Sequence, residues 1–144
     1  MRSLCRAGLV LAAIAALAAV ATLAPSAMAV SDARAPVLKQ RDARFGDILA
    51  TPGHKALYFW NVEKRDFKVR CTGACAAAWP PLVVRSAKAV PRRIAGISGA
   101  FGFIRRPDGK LQVTRNRLPL YTYAHGGLRQ VLCDNVDGWF VVRL

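Results

Sequence analysis

Apolar positions in this chain form one long block and, beyond it, a series of short alternating runs. The block, Ala7 to Ala24, is 18 residues of small and apolar side chains, and Pro25 closes it. Val30 to Arg44 is polar, contains Pro36 and scattered charges, and shows no apolar period, so it reads as a mobile leader. From there the signals are those of strands and turns. Asp47 to Ala50 is a short, mostly apolar run, Pro52-Gly53-His54-Lys55 a turn, and Ala56 to Val62 an aromatic and β-branched run, which together predict a hairpin. Phe67 to Arg70 alternates apolar and basic side chains and predicts a third short strand, broken at Thr72-Gly73. Residues 74–79 predict one short helix, stopped by Pro80-Pro81, and Leu82 to Val84 is extended again. Ser86 to Gly99 is a basic loop. Phe101 to Arg105 and Leu111 to Arg115 flank Pro107-Asp108-Gly109-Lys110, the strongest hairpin signal in the chain, because Asp-Gly supplies the positive φ of a tight turn. Leu118 to Tyr123 predicts another strand, His125-Gly126-Gly127 a turn, and Gly138 to Leu144 a buried closing strand. The fold class is mainly β, small and antiparallel.

The pattern echoes itself. Leu57-Tyr58-Phe59-Trp60 returns as Leu120-Tyr121-Thr122-Tyr123, with Cys71 following the first 14 places on and Cys133 the second 13 places on. Trp79 with Leu82-Val83-Val84 returns as Trp139 with Val141-Val142. Three landmarks in one order imply two related units of about 60 residues, packed together because neither buries its apolar face alone.

Composition changes the reading of the first block. Arg2 and Arg6 precede it, and Ala27-Met28-Ala29 follows it as a small-x-small cleavage motif, so residues 1–29 read as a secretory signal peptide. The block is just long enough to span a bilayer, but it is mostly alanine and weakly hydrophobic, which favours cleavage over anchoring. The only cysteine near it, Cys5, stands in front of it, which argues against lipoprotein processing. The expected organisation is a signal peptide over 1–29, a flexible leader over 30–44 and a β domain over 45–144. Export places the protein outside the cytoplasm, secreted or periplasmic, with no transmembrane anchor after processing. Removing residues 1–29, which carry two arginines and no acid, leaves 115 residues and takes the formal charge from +14 to +12.

That charge bears on function. Arg92 and Arg93 lie in one loop, and Arg105, Arg106, Arg115 and Arg117 lie in and around the Asp-Gly hairpin. These six are candidate anion-binding residues. The field of such a domain attracts polyanions, and outside the cytoplasm these are cell-envelope polymers and anionic lipid surfaces rather than chromosomes. Nucleic acid is not an expected native partner, since no reader motif is present. The aromatic set Tyr58, Trp60, Trp79, Tyr121, Tyr123 and Trp139 is read first as core and cross-strand packing, and second as an exposed ligand face.

The remaining chemistry lies in cysteine and histidine. Cys71, Cys75 and Cys133 enter an oxidising compartment, where a disulfide is the default. Closing the short Cys71–Cys75 loop restrains the unfolded chain by about 2 kcal/mol, and closing Cys75 to Cys133 by about 4 kcal/mol. Loop entropy favours the longer link and proximity the shorter. A thiol–disulfide enzyme would use two intervening residues at a helix start, where three stand here, and covalent haem attachment would need a histidine at Ala76. Cys71, Cys75, His54 and His125 together match the ligand types of a tetrahedral metal site, the basis of an alternative reading as a periplasmic redox or metal-binding protein. No Gly-x-Ser-x-Gly is present, and no cofactor is implied.

Leu57-Tyr58 through Glu63, Cys71-Thr72-Gly73-Ala74-Cys75-Ala76 and Trp79-Pro80-Pro81-Leu82 resemble the bacterial secreted-repeat and predicted lipoprotein family, named for a tyrosine, an aromatic two places on and an acid three further. Arg106, Asp108-Gly109, Gln112-Val113-Thr114 and Pro119-Leu120-Tyr121 fit the same pattern, so the resemblance runs from Phe45 to Leu144. It implies an extracytoplasmic β-rich module without an assigned activity, and a Cys71–Cys75 disulfide, because the family's first motif carries both cysteines. The chain departs from the family in three places. Glu63 replaces the usual aspartate, Gly126 stands where the second motif has its acid, and Arg129-Gln130-Val131-Leu132-Cys133 replaces a glycine-rich loop. The expected function is a non-enzymatic secreted or periplasmic module binding anionic envelope components through its basic loops.

Overall fold

The computed structural model describes residues 34–144, so the expected signal peptide over 1–29 and the start of the expected leader lie outside the described residues. The described part of the leader corrects the expectation of a mobile segment. Leu38–Asp42 is a strand, β1, paired antiparallel with β2 (Gly46–Ala50) from Leu38↔Ala50 to Asp42↔Gly46. Val37 and Gln40 face inwards and are buried. Gln40 hid the apolar period, because a polar amide sits where an aliphatic side chain is usual. Its Oε1 lies 3.2 Å from His54 Nδ1. The connecting turn is fixed by Asp42, whose carboxylate accepts the N–H groups of Arg44 at 2.8 Å and Phe45 at 3.1 Å.

The chain then diverges from the expected hairpin. Ala50 and Ala56 form a single bridge and the Leu57 N–H reaches the Leu49 carbonyl at 2.9 Å. The next strand, β3 (Tyr58–Trp60), pairs instead with the last strand, β8 (Trp139–Val141). Aromatic stacking accompanies this choice: Phe59 lies on Phe140 at 5.7 Å and Trp60 on Trp139 at 5.4 Å. Residues 67–70 are not the expected strand. A 3₁₀ turn at Asn61–Arg65 precedes them, Phe67 is left-handed at φ 59°, and the N–H groups of Arg70 and Cys71 point at the Glu63 carboxylate rather than at a ladder partner.

The helix falls where expected, as α1 (Ala74–Ala78), closed by the Trp79 N–H to the Cys75 carbonyl at 2.8 Å. β4 is Val83–Val84. β5 (Phe101–Arg105) and β6 (Leu111–Arg115) form the predicted hairpin, with Gly109 at φ 83° in the turn. β6 is flanked by β5 on one side and by β4 and β7 (Leu118–Pro119) on the other. The expected strand over 118–123 shortens to β7, after which Tyr121 bridges to Tyr58 and Pro81.

Equivalent stretches of the echo meet each other. Tyr58 and Tyr121 exchange N–H···O=C bonds of 2.8 and 2.9 Å. Leu49 donates to Val142 as Val113 does to Leu82, Leu57 to Leu49 as Leu120 to Val113, and Val142 to Leu57 as Leu82 to Leu120, all between 2.8 and 3.0 Å. Alternation along these strands builds two apolar clusters. One holds Leu49, Leu57, Phe101, Val113, Leu120 and Val142. The other is aromatic, with Tyr58, Trp79, Tyr121 and Trp139 packed beside Ile48, Cys71 and Val131. Aromatic packing, the first of the two sequence readings, therefore describes most of the set; Trp60 and Tyr123 are half-buried at its margin.

Candidate functional site

Behind the sheet lies a buried polar network. Glu63, fully enclosed, accepts at Oε1 from the Tyr121 hydroxyl at 2.7 Å, the Arg70 N–H at 2.8 Å and the Cys71 N–H at 3.4 Å. Arg106 is buried beside it and donates to the Cys71 carbonyl at 2.9 Å and to Gln112 Oε1 at 2.6 Å, while Gln112 Nε2 donates to the Leu120 carbonyl at 2.8 Å. These bonds tie the 3₁₀ turn, β6 and the segment entering α1 around Cys71, which is disulfide-bonded to Cys75. Burial raises the Glu63 carboxyl above its ordinary value, and the N–H of Arg70, the Tyr121 hydroxyl, the Cys71 N–H and the Arg106 charge draw it only partly back. Burial, and then the bond to Glu63, raises the Tyr121 phenol.

This has a pH consequence. In the window between the ordinary glutamate value of 4.5 and the raised folded value, the folded protein binds more protons at Glu63 than the unfolded chain does. The Glu63 contribution is therefore fully stabilising below the window and is lost as pH rises through it. Glu63→Gln, which cannot ionise, is expected to remove that component, so the parent-minus-variant difference in melting temperature shifts against the parent as pH rises. Thermal melts from pH 4 to 8 check it, and parallel curves for the two proteins would contradict it.

The partner tyrosine differs. Tyr58 is equally buried, yet its hydroxyl has no hydrogen-bond partner among the described residues. Burial raises its phenol, and the N–H groups of Leu132 and Cys133 draw it partly back.

The six candidate arginines separate. Arg106 is corrected: it is an interior residue, its two Nη groups bonded to Gln112 and the Cys71 carbonyl and its Nε without a hydrogen bond among the described residues, 3.7 Å from Asp108. Arg115 is half-buried and donates to the Ser98 carbonyl at 2.8 Å and the Ser98 hydroxyl at 2.9 Å, pinning the basic loop; burial lowers its pKa. Gly99 permits that approach, since a Cβ there would stand 2.8 Å from Arg115 Nε. Arg105 is exposed and folds back on the Gly109 carbonyl at 2.9 Å. Arg92, Arg93 and Arg117 are exposed and, among the described residues, form no ion pair with a carboxylate.

Arg92 and Arg117 line one groove of about 590 Å³, with Phe101, Gly102, Phe103, Thr114 and Asn116. Asn116 and Arg117 are the two residues of the β6–β7 turn, and both have positive φ, 49° and 72°. Glycine is usual at the second position of such a turn, and a bulky side chain there costs roughly 1 kcal/mol or more. Asn116 Oδ1 accepts the Ala100 N–H at 2.9 Å and holds the turn against β5. The guanidinium of Arg117 lies 4.1 Å from the ring centre of Phe67, itself left-handed. Phe103 projects from the outer strand β5 and is 47% exposed. Two guanidinium groups lining one groove with the exposed Phe103 suit carboxylate or phosphate groups carried on rings or chains.

The cysteine and histidine side chains do not converge. Cys71 and Cys75 are bonded to each other, His54 lies against Gln40 and Arg129, and His125 stands edge-on to Tyr123 at 5.5 Å. Cys133 is a free, half-buried thiol, and burial followed by the charge of Asp137 raises its pKa. Among the described residues no three His, Cys, Asp or Glu side chains are placed to hold a metal ion. Comparison with protein-family models, curated proteins and solved structures finds no match.

Sequence reading missed Phe103 as a groove residue and Phe67 as the ring beneath Arg117. The signal that was present is the spacing: two residues, Asn116-Arg117, between two strand-like runs predict a tight turn that strains an arginine.

Proposed function

We propose that this protein is an exported, non-enzymatic binding module that takes anionic polymers of the cell envelope at the groove between Arg92 and Arg117. One observation carries the reading: Arg117 is kept in a left-handed turn position, stacked on Phe67, with its guanidinium free of any carboxylate and Arg92 lining the same groove. A residue with only a solubilising role gains nothing from that strain. The leader over 1–29 and the formal charge support a location outside the cytoplasm, where phosphate- and carboxylate-bearing polymers are abundant. The resemblance to the secreted-repeat family supports the same placement. The matched hydrogen bonds around Tyr58 and Tyr121 support descent of the two halves from one duplicated unit.

The test uses poly(glycerol phosphate) and polygalacturonate as soluble probes. Arg92→Gln with Arg117→Gln is expected to weaken binding by about tenfold or more at low salt, whereas Lys64→Gln, an exposed cation outside the groove, leaves it unchanged. Isothermal titration at two ionic strengths reads both. Equal affinity of parent and double variant, or no binding of either probe, overturns the proposal.

A further inference from the structure

We propose that the loop around Leu128–Cys133, together with the β1–β2 turn, is a docking surface for an anionic lipid bilayer, separate from the polymer groove. This loop is where the chain replaces the family's glycine-rich segment with Arg129-Gln130-Val131-Leu132-Cys133. Its side chains divide sharply. Val131 is buried in the aromatic cluster, while Leu128 on one side of it is 65% exposed and Leu132 on the other 52% exposed. The loop is thus held by its middle and turns two leucines outwards.

Polar contacts fix it in that pose. The Arg129 N–H donates to the His54 carbonyl at 2.8 Å, Arg129 Nη2 lies 3.3 Å from His54 Nε2, and the Arg44 guanidinium donates to the Val131 carbonyl. Arg129 is left-handed at φ 57°. A segment fixed in this way loses little conformational freedom when it inserts.

Charge decides the occupant. Arg41, Arg44 and Arg129 line one depression of about 370 Å³ with Gln130 and Leu132; Arg41 also pairs with Asp47 at 3.3 Å, whereas among the described residues Arg44 and Arg129 bond only to the neutral Val131 carbonyl and His54. The one acid in that lining, Asp42, is engaged with the N–H groups of its own turn. Asp134, next in the loop, is turned to Arg143 at 2.5 Å and to the Val141 N–H at 3.0 Å. A soluble polyanion has no use for two projecting leucines, and a protein partner needs a wider apolar patch. Isolated leucines rimmed by guanidinium groups match the boundary of a bilayer, where acyl chains lie just beneath phosphates. The polymer groove shares no residue with this surface.

The experiment uses the chain from Val30 onward, which contains every described strand, both apolar clusters and the disulfide. Co-sedimentation with phosphatidylcholine vesicles, plain or containing about 30 mol% phosphatidylglycerol, is expected to show binding to the charged vesicles only. Leu128→Ser with Leu132→Ser should lower that partition about tenfold while leaving polymer binding intact, and Arg41→Gln should weaken it further. Leu132→Trp reports insertion without removing the apolar side chain: anionic vesicles should shift its emission to the blue, and brominated acyl chains should quench it. The proposal is overturned if the double serine variant binds vesicles as the parent does, if the introduced tryptophan shows neither shift nor quenching, or if no vesicle binds. Loss of vesicle binding on Arg92→Gln with Arg117→Gln alone would assign lipid to the groove and refute this surface. Intact vesicle binding beside absent polymer binding would refute the groove and leave this surface standing.

Discussion

Replacing Glu63 by alanine is expected to destabilise the protein by about 4 kcal/mol, lowering the melting temperature by roughly 15 °C. The carboxylate is the shared acceptor for the Tyr121 hydroxyl and the Arg70 and Cys71 N–H groups, all in the interior. Alanine strands three donors and leaves the buried Arg106 without its nearby opposite charge. Each stranded donor costs about 1–3 kcal/mol, and an uncompensated interior cation more. Glu63→Gln keeps the acceptor oxygen for the three donors, so its loss should be well below that of alanine. Urea unfolding followed by far-UV circular dichroism measures both. A cost below about 1 kcal/mol for alanine would mean that the network is not closed and that water takes the place of the carboxylate.

Trp139→Ala is expected to cost a similar amount, about 4 kcal/mol, by a different mechanism. Trp139 has Trp79 on one face at 4.1 Å and 9°, Trp60 stacked at 5.4 Å and 3°, and the edge of Tyr121 at 5.1 Å and 86°. Removing the indole empties the centre of the aromatic cluster, and the β3–β8 pair, only three residues long, cannot close over the void. Trp139→Phe retains much of the contact area and should cost about 1–1.5 kcal/mol. The stacked indoles supply an independent readout: the near-ultraviolet circular dichroism of the Trp79–Trp139 pair should vanish in both variants. An alanine variant with parental stability would show that the stack is not a source of cohesion.

Local signals carried well into the fold. The β5–β6 hairpin was legible because Asp108-Gly109 requires a tight turn, and α1 because Pro80-Pro81 ends it. Where contacts are distant in sequence, the reading failed. β1 was hidden by Gln40, whose burial depends on His54. Phe67 to Arg70 alternated like a strand, but its amides are claimed by a carboxylate supplied by the preceding turn. Arg106 belonged on sequence with its basic neighbours, and only Gln112 and Cys71 in space make it an interior residue. The groove was half legible. Arg92 and Arg117 were singled out by charge, but Phe103 joins them from β5 and Phe67 packs under Arg117 from a distant loop, and no spacing along the chain announces either.

The two central tyrosines are anchored differently. The Tyr121 hydroxyl is bonded to Glu63, whereas the Tyr58 hydroxyl lies near the N–H groups of Leu132 and Cys133 without closing a hydrogen bond to either. The Tyr58 phenol therefore adds no hydrogen bond to the stretch that packs over it, around Leu132 and Cys133. That stretch is anchored by Arg44 and Arg129 instead, so loosening either anchor would expose the free sulfhydryl of Cys133 while the Cys71–Cys75 crosslink still holds the other side.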